Sequence, residues 1–227
     1  GQPALWIGLI MLLVTPCTDW YLIFTGLARG NVALGTALLP WNLGFQLLLL
    51  PLYLLIFAGR LVPIEPSILI ESVLLVLAAP LLVAVLVRAV VVRSRGKAYF
   101  ERRVLPVLEP FQIIMLGLAI TAIFTAQGHT FLRQPLLLLQ LLPPLLVFFA
   151  INFLLVRTVS RWLRINYADH ACLTCVTLAR NSPVALAIAL SAFPGEPLIA
   201  LALVIGPLIE IPVLAAVSWA LLRHTGS

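Results

Sequence analysis

The chain has 227 residues, of which 63% are hydrophobic and 10% charged, with a mean hydropathy of +1.15 and a formal net charge of +6. A soluble domain carries about 25% charged residues, so the composition excludes a water-soluble globule and marks an integral membrane protein. The basic residues are scattered between apolar runs rather than gathered on one surface, which excludes a nucleic-acid partner and makes the lipid bilayer the first partner.

A spanning helix needs roughly 20 apolar residues, and seven stretches supply them: 2–28, 33–59, 67–92, 105–126, 134–157, 169–193 and 197–222. The runs are continuous rather than alternating, which favours helices over a β-barrel. The predicted fold is all-α and polytopic. Loops are short: ARGN follows the first span, AQGHTFLRQ lies mid-chain and FPGEP precedes the last span.

The first span is interrupted at its centre by TPCTDW, residues 15–20. Pro16 removes a backbone donor and clashes with the preceding turn, so the helix is predicted to break there. Freed backbone groups at bilayer depth are tolerated only where they face protein or a watery cavity. Thr15, Cys17, Thr18 and Asp19 are therefore expected around such a cavity. The second span contains Pro40 and Pro51.

In the fourth span Glu109, between Pro106 and Pro110, reads as interfacial. The sixth span is broken again, by ARNSP at 179–183, which places Arg180, Asn181 and Ser182 beside Pro183. The seventh, like the second, carries internal prolines, Pro207 and Pro212, with Glu210 between them. An isolated intramembrane charge costs roughly 2.5–3.5 kcal/mol on insertion scales, so Asp19 and Arg180 need partners or a function. They are expected either to pair, or to divide the work, with Asp19 carrying a proton and Arg180 attracting an oxyanion.

Lysine and arginine fall overwhelmingly on one side when the loops are numbered alternately. Arg29, the stretch from Arg88 to Arg103, Arg157, Arg161, Arg164 and Arg223 share one side, against Arg60 and Arg133 on the other. By the positive-inside rule, the loops near Arg29, 93–103 and 157–164 and the C-terminus are expected in the cytoplasm. Paired broken helices of opposite orientation are the sequence mark of an inverted-repeat secondary transporter. Residues 1–59 then form the remainder of one repeat and 60–227 a five-span second repeat, with three further spans expected before Gly1.

The stretch TPCTDWYLIFTGLARGNVALGTALLPWNL resembles the first crossover helix of arsenical-resistance (arsenite efflux) permeases, within the bile acid:sodium symporter superfamily. ARNSPVALAIALSAF is similar to that family's second crossover helix, and VIGPLIEIPVLAAV to its final helix, through Glu210 and Pro212. The resemblance implies an inner-membrane exporter of arsenite or a related small oxyacid, driven by the proton gradient through alternating access. It makes Cys17 the arsenite-handling residue, and soft thiolates do select thiophilic ions over hard ones. Thr15, Thr18, Arg180, Asn181 and Ser182 become candidate solute contacts, and Asp19 and Glu210 candidate coupling residues.

One departure stands out: Val184 lies about where such permeases usually carry a glutamate after the second-crossover asparagine. The alternative within the superfamily is sodium-coupled symport of an organic anion, which Arg180 favours. An intramembrane enzyme is disfavoured, because no nucleophile–base–orienter set is legible. No GxxxxGK[ST] loop supplies ATP, and no cofactor is called for. Cys172 and Cys175 form a CxxC near His170 without a second ligand pair, so packing is the expected role.

Overall fold

The computed structural model describes residues 3–18, 20–58, 66–108, 110–111, 114–115, 117–118, 121–122, 125 and 135–223. Asp19 and Glu109 lie outside the described residues, as do Arg60, Arg133 and part of the expected fourth span.

Helix α1 runs Pro3–Val14, with Pro3 at its first turn, where a missing N–H costs nothing. The chain leaves the helix at Thr15 and re-enters it as α2, Trp20–Leu27. Arg29 then adopts a left-handed conformation, φ 53°. The Gly30 amide bonds back to the Thr25 carbonyl at 2.8 Å, closing the helix end in a Schellman turn.

Helix α3, Val32–Tyr53, is N-capped by Asn31, whose side chain accepts from the Leu34 amide at 2.9 Å. It continues through a π-helical turn, Leu54–Ala58. Helix α4, Pro66–Val73, runs through a second π-helical turn into α5, Ala79–Arg95. Helix α6, Pro135–Trp162, ends in another Schellman turn, with Arg164 at φ 52° and the Ile165 amide bonded to the Ser160 carbonyl.

Helix α7, Tyr167–Leu178, is capped by Asn166, and α8, Ser182–Ala192, by Asn181. Helix α9, Pro197–Arg223, closes the described chain. Among the described residues there is no strand, only an isolated antiparallel bridge between Pro16 and Arg180.

Among the described residues four helices are long and apolar enough to cross a membrane: Val32–Phe57, Ser67–Arg95, Leu139–Trp162 and Pro197–Arg223. They correspond to the second, third, fifth and seventh expected spans. The first and sixth are each two short helices separated by an extended break. The protein is thus an all-helical, multi-pass membrane protein.

The core is built on α9, where every residue from Ile199 to Gly206 is buried. A helix apolar all round is a core helix when other helices surround it. Packing against α1 is close because the facing residues are small. A Cβ on Gly8 would lie 2.6 Å from that of Ala202 and equally near the Ile199 carbonyl. By contrast, α5 has no buried residue among those described. The leucine-rich run of α3 divides by face: Leu48 and Leu52 are exposed, whereas Leu50 and Leu54 are buried.

Candidate functional site

The two breaks meet. The Cys17 amide donates to the Ala179 carbonyl at 3.2 Å, and the Asn181 amide donates to the Thr15 carbonyl at 3.1 Å. These reciprocal bonds satisfy four backbone groups that the interrupted helices could not pair internally, which is what permits irregular backbone deep in an apolar core.

Side chains fasten the crossing from three directions. Asn181 donates through Nδ2 to Thr18 Oγ1 at 2.9 Å while its Oδ1 caps α8 through the Val184 amide at 3.2 Å. Asn42, from α3, donates to the Cys17 carbonyl at 3.0 Å. Glu210, from the middle of α9 and only 3% exposed, accepts from the Arg180 amide at 2.8 Å. A buried carboxylate accepting a backbone N–H is a strong, charge-assisted contact.

Thr15 is fully buried, and its hydroxyl donates to the Met11 carbonyl at the end of α1. Cys17 is 1% exposed, within the apolar core. Ser182 Oγ is buried without a hydrogen-bond partner among the described residues. Its surroundings are tight, since a Cβ on Gly206 would stand 2.8 Å from that oxygen.

Arg180 places its guanidinium carbon 4.6 Å from the centre of the Phe148 ring, a cation–π contact. It also donates to the Thr177 carbonyl. Its Nε finds no partner among the described residues. A cavity of about 240 Å³ opens beside the crossing, bounded by Val14, Pro16, Asn42, Phe45, Leu49, Tyr53 and Arg180. The arrangement offers a small solute a cation, an amide donor and unwound backbone in an otherwise apolar setting. The expected Asp19–Arg180 relation falls on a residue outside those described.

Asn42, Phe148 and Gln46 escaped the sequence reasoning. Gln46 is 1% exposed, and neither its Oε1 nor its Nε2 has a hydrogen-bond partner among the described residues. One signal could have found it. The interval from Pro16 to Arg180 also separates Pro3 from Tyr167, Val14 from Leu178 and Cys17 from Asn181, and it pairs Gln46 with Glu210.

The CxxC thiols lie away from the crossing. Cys172 and Cys175 are fully buried among α2, α3, α7 and α9, and His170 Nδ1 meets Ser160 Oγ at 2.9 Å. A different polar cluster ties the helix starts together. The Asp169 carboxylate accepts from Asn31 Nδ2 and from Asn166 Nδ2, each at 2.7 Å, and so links the caps of α3 and α7.

Residues 1–134, more than half the chain, match the sequence profile of the Sodium Bile acid symporter family. The chain is 29% identical to the arsenical-resistance protein Acr3 of Corynebacterium glutamicum, over 97% of this chain and 62% of that protein. It is 30% identical to Acr3 of Alkaliphilus metalliredigens, over 91% of this chain and 58% of the relative. A transporter of Synechocystis sp. of uncharacterized function is 28% identical, over 91% and 54% respectively. The chain thus spans between about half and two thirds of the length of these relatives.

Proposed function

Because the chain belongs to the Sodium Bile acid symporter family, we propose that the crossing of its two broken helices is the solute site of a secondary transporter that exports arsenite or a related small oxyacid. The observation that carries this reading is the reciprocal pairing of Cys17 with Ala179 and of Asn181 with Thr15, which gathers the polar atoms of both breaks in one place. The arsenical-resistance names of two relatives support the choice of solute.

In this mechanism Cys17 supplies a soft sulfur ligand for the metalloid. Thr18, Asn181 and Ser182 contact its hydroxyls, Thr15 holds the helix end against them, and Arg180 attracts any anionic form. Asp19 and Glu210 change charge during the cycle and couple export to the proton gradient. Alternating access follows if one repeat rocks against the other about the crossing.

The recurring interval between the breaks supports an inverted repeat. In this reading a full first repeat has three more spans than residues 1–59 supply; the relatives are longer than this chain. The arginine bias of the loops supports a plasma-membrane protein with Arg29, 93–103, 157–164 and the C-terminus on the cytoplasmic side.

The second reading, sodium-coupled symport of an organic anion, rests on the Arg180 guanidinium at the cavity edge. The test is arsenite tolerance and arsenic accumulation in sensitive bacteria expressing the complete gene, with Cys17→Ser in parallel. Tolerance conferred by the wild type and lost in the variant is the expected result. No tolerance from the wild type sinks the export reading. Sodium-dependent anion uptake unaffected by Cys17→Ser establishes the alternative.

A further inference from the structure

A second cavity, of about 620 Å³, lies away from the crossing, where α6 turns into α7 and α9 ends. Its walls are chiefly apolar, including Phe153, Ile165 and Leu221, yet Arg157, Arg161 and Arg164 also line it. Among the described residues no carboxylate offsets these arginines: the sole ion pair is Lys97 with Glu101, and the nearby Asp169 carboxylate is held by Asn31 and Asn166. Three unpaired guanidinium groups around one opening repel each other until an anion enters.

Inorganic phosphate needs no such apolar volume, which lies in the usual range for a bound organic molecule. The cavity also sits at the ends of helices long enough to span, hence at headgroup depth. Basic pockets between spanning helices at that depth suit phospholipid head groups. We propose that this cavity binds an anionic glycerophospholipid of the phosphatidylglycerol type, with its phosphate among Arg157, Arg161 and Arg164 and the start of an acyl chain against Phe153, Ile165 and Leu221.

The test uses the complete protein in detergent, with thermal unfolding and native mass spectrometry after addition of phosphatidylglycerol, phosphatidylcholine or inorganic phosphate. Phosphatidylglycerol is expected to raise the melting temperature and to remain bound. Retention is expected to fall about tenfold or more in Arg157→Gln/Arg161→Gln, which takes away two of the three charges that attract the phosphate. The control Arg102→Gln/Arg103→Gln removes the same charge from the same expected membrane face and should retain the lipid. The single variant Arg161→Gln, whose side chain is exposed, gives the same comparison if the double variant fails to fold. Equal loss in both double variants, equal effects of the two lipids, or the whole shift produced by phosphate alone overturns the proposal.

A second inference concerns Gln46 and rests on the crossing being the solute site. Glu210 accepts the Arg180 amide. The residue related to Arg180 by the recurring interval is Pro16, which has no N–H to offer Gln46. A buried amide with neither of its polar atoms paired is an anomaly that calls for a ligand or water. We infer that Gln46 contacts the solute, donating through Nε2 and accepting through Oε1, as the counterpart of Glu210 on the other half of the site.

Replacement by leucine separates this role from a structural one. Gln46→Leu removes an unpaired buried amide at similar volume, so the melting temperature is expected to hold or rise by a few degrees while solute transport falls at least tenfold. A lower melting temperature, or transport unchanged from a transporting wild type, overturns the inference. An inactive wild type instead counts against the reading of the site itself, and the melting comparison still tests whether the amide is paired.

Discussion

Glu210 gives the sharpest test of the crossing, because two substitutions there separate geometry from charge. The carboxylate is 3% exposed and accepts the Arg180 amide at 2.8 Å. A bond to a charged acceptor contributes about 1.5–3 kcal/mol, against about 0.5–1.5 kcal/mol for a neutral one. Glu210→Gln keeps the acceptor and so should cost about 1 kcal/mol. Glu210→Ala strands a buried N–H, at about 1–3 kcal/mol, and gives up apolar stem packing worth about another 1 kcal/mol. The alanine variant should therefore be about 2 kcal/mol less stable than the glutamine variant, a difference of about 4–8 °C in melting temperature for a chain of this size. Thermal unfolding of the two variants in one detergent measures it. If Glu210 also carries the coupling proton, Glu210→Gln should lose proton-driven net export at least tenfold while still exchanging solute across the membrane. Equal melting of the two variants refutes the bond to Arg180, and full proton-driven export by Glu210→Gln refutes the coupling role.

Asp169→Ala removes the acceptor shared by Asn31 and Asn166. It should lower stability by about 2 kcal/mol, read as a lower melting temperature, with Asp169→Asn intermediate. Gly8→Ala would force a Cβ to within 2.6 Å of Ala202 and should destabilise by about 1–3 kcal/mol. Gly44→Ala, where an added Cβ meets nothing within 4 Å, should stabilise α3 by up to about 1 kcal/mol; a thermal melt of the pair gives opposite signs. Asn42→Ala frees the Cys17 carbonyl and should cost about 1 kcal/mol while reducing arsenite tolerance, with Asn42→Asp failing to restore it because a carboxylate has no hydrogen to donate.

Both breaks were legible because proline acts locally. Pro16 and Pro183 disfavour a continuous helix, and the polar residues beside them mark these two as breaks where Pro40, Pro51, Pro143, Pro144, Pro207 and Pro212 stay inside helices; a broken helix in an apolar chain needs a partner for its backbone. The second, third, fifth and seventh spans were legible to within about five residues, since an apolar run of twenty or more residues bounded by arginine or proline has few alternatives. The buried polar residues of α3 were less visible. Asn42 and Gln46 lie in the middle of α3, in a run where one polar residue among leucines reads as incidental. Their importance depends on which face of α3 meets the break, and an apolar helix has no amphipathic stripe from which that face could be read. Glu210 stood out because it is charged and because, with Pro212, it carries the resemblance of the last span to the family's final helix.

The site therefore combines two kinds of information. Residues at the breaks are identified by local chemistry, whereas residues on the flanking helices are identified by register, through the interval that relates Cys17 to Asn181. This interval matches the 12-residue helix α1 to the 12-residue helix α7 end for end. It also exposes an asymmetry between the two halves. At corresponding positions one half presents a proline, a thiol and a neutral amide, and the other an arginine, an amide and a carboxylate. In the proposed carrier the unlike side chains at these related positions would give a solute held at the crossing two chemically different faces. Gripping a soft, hydroxylated solute on one side while coupling to an ion on the other would require that difference.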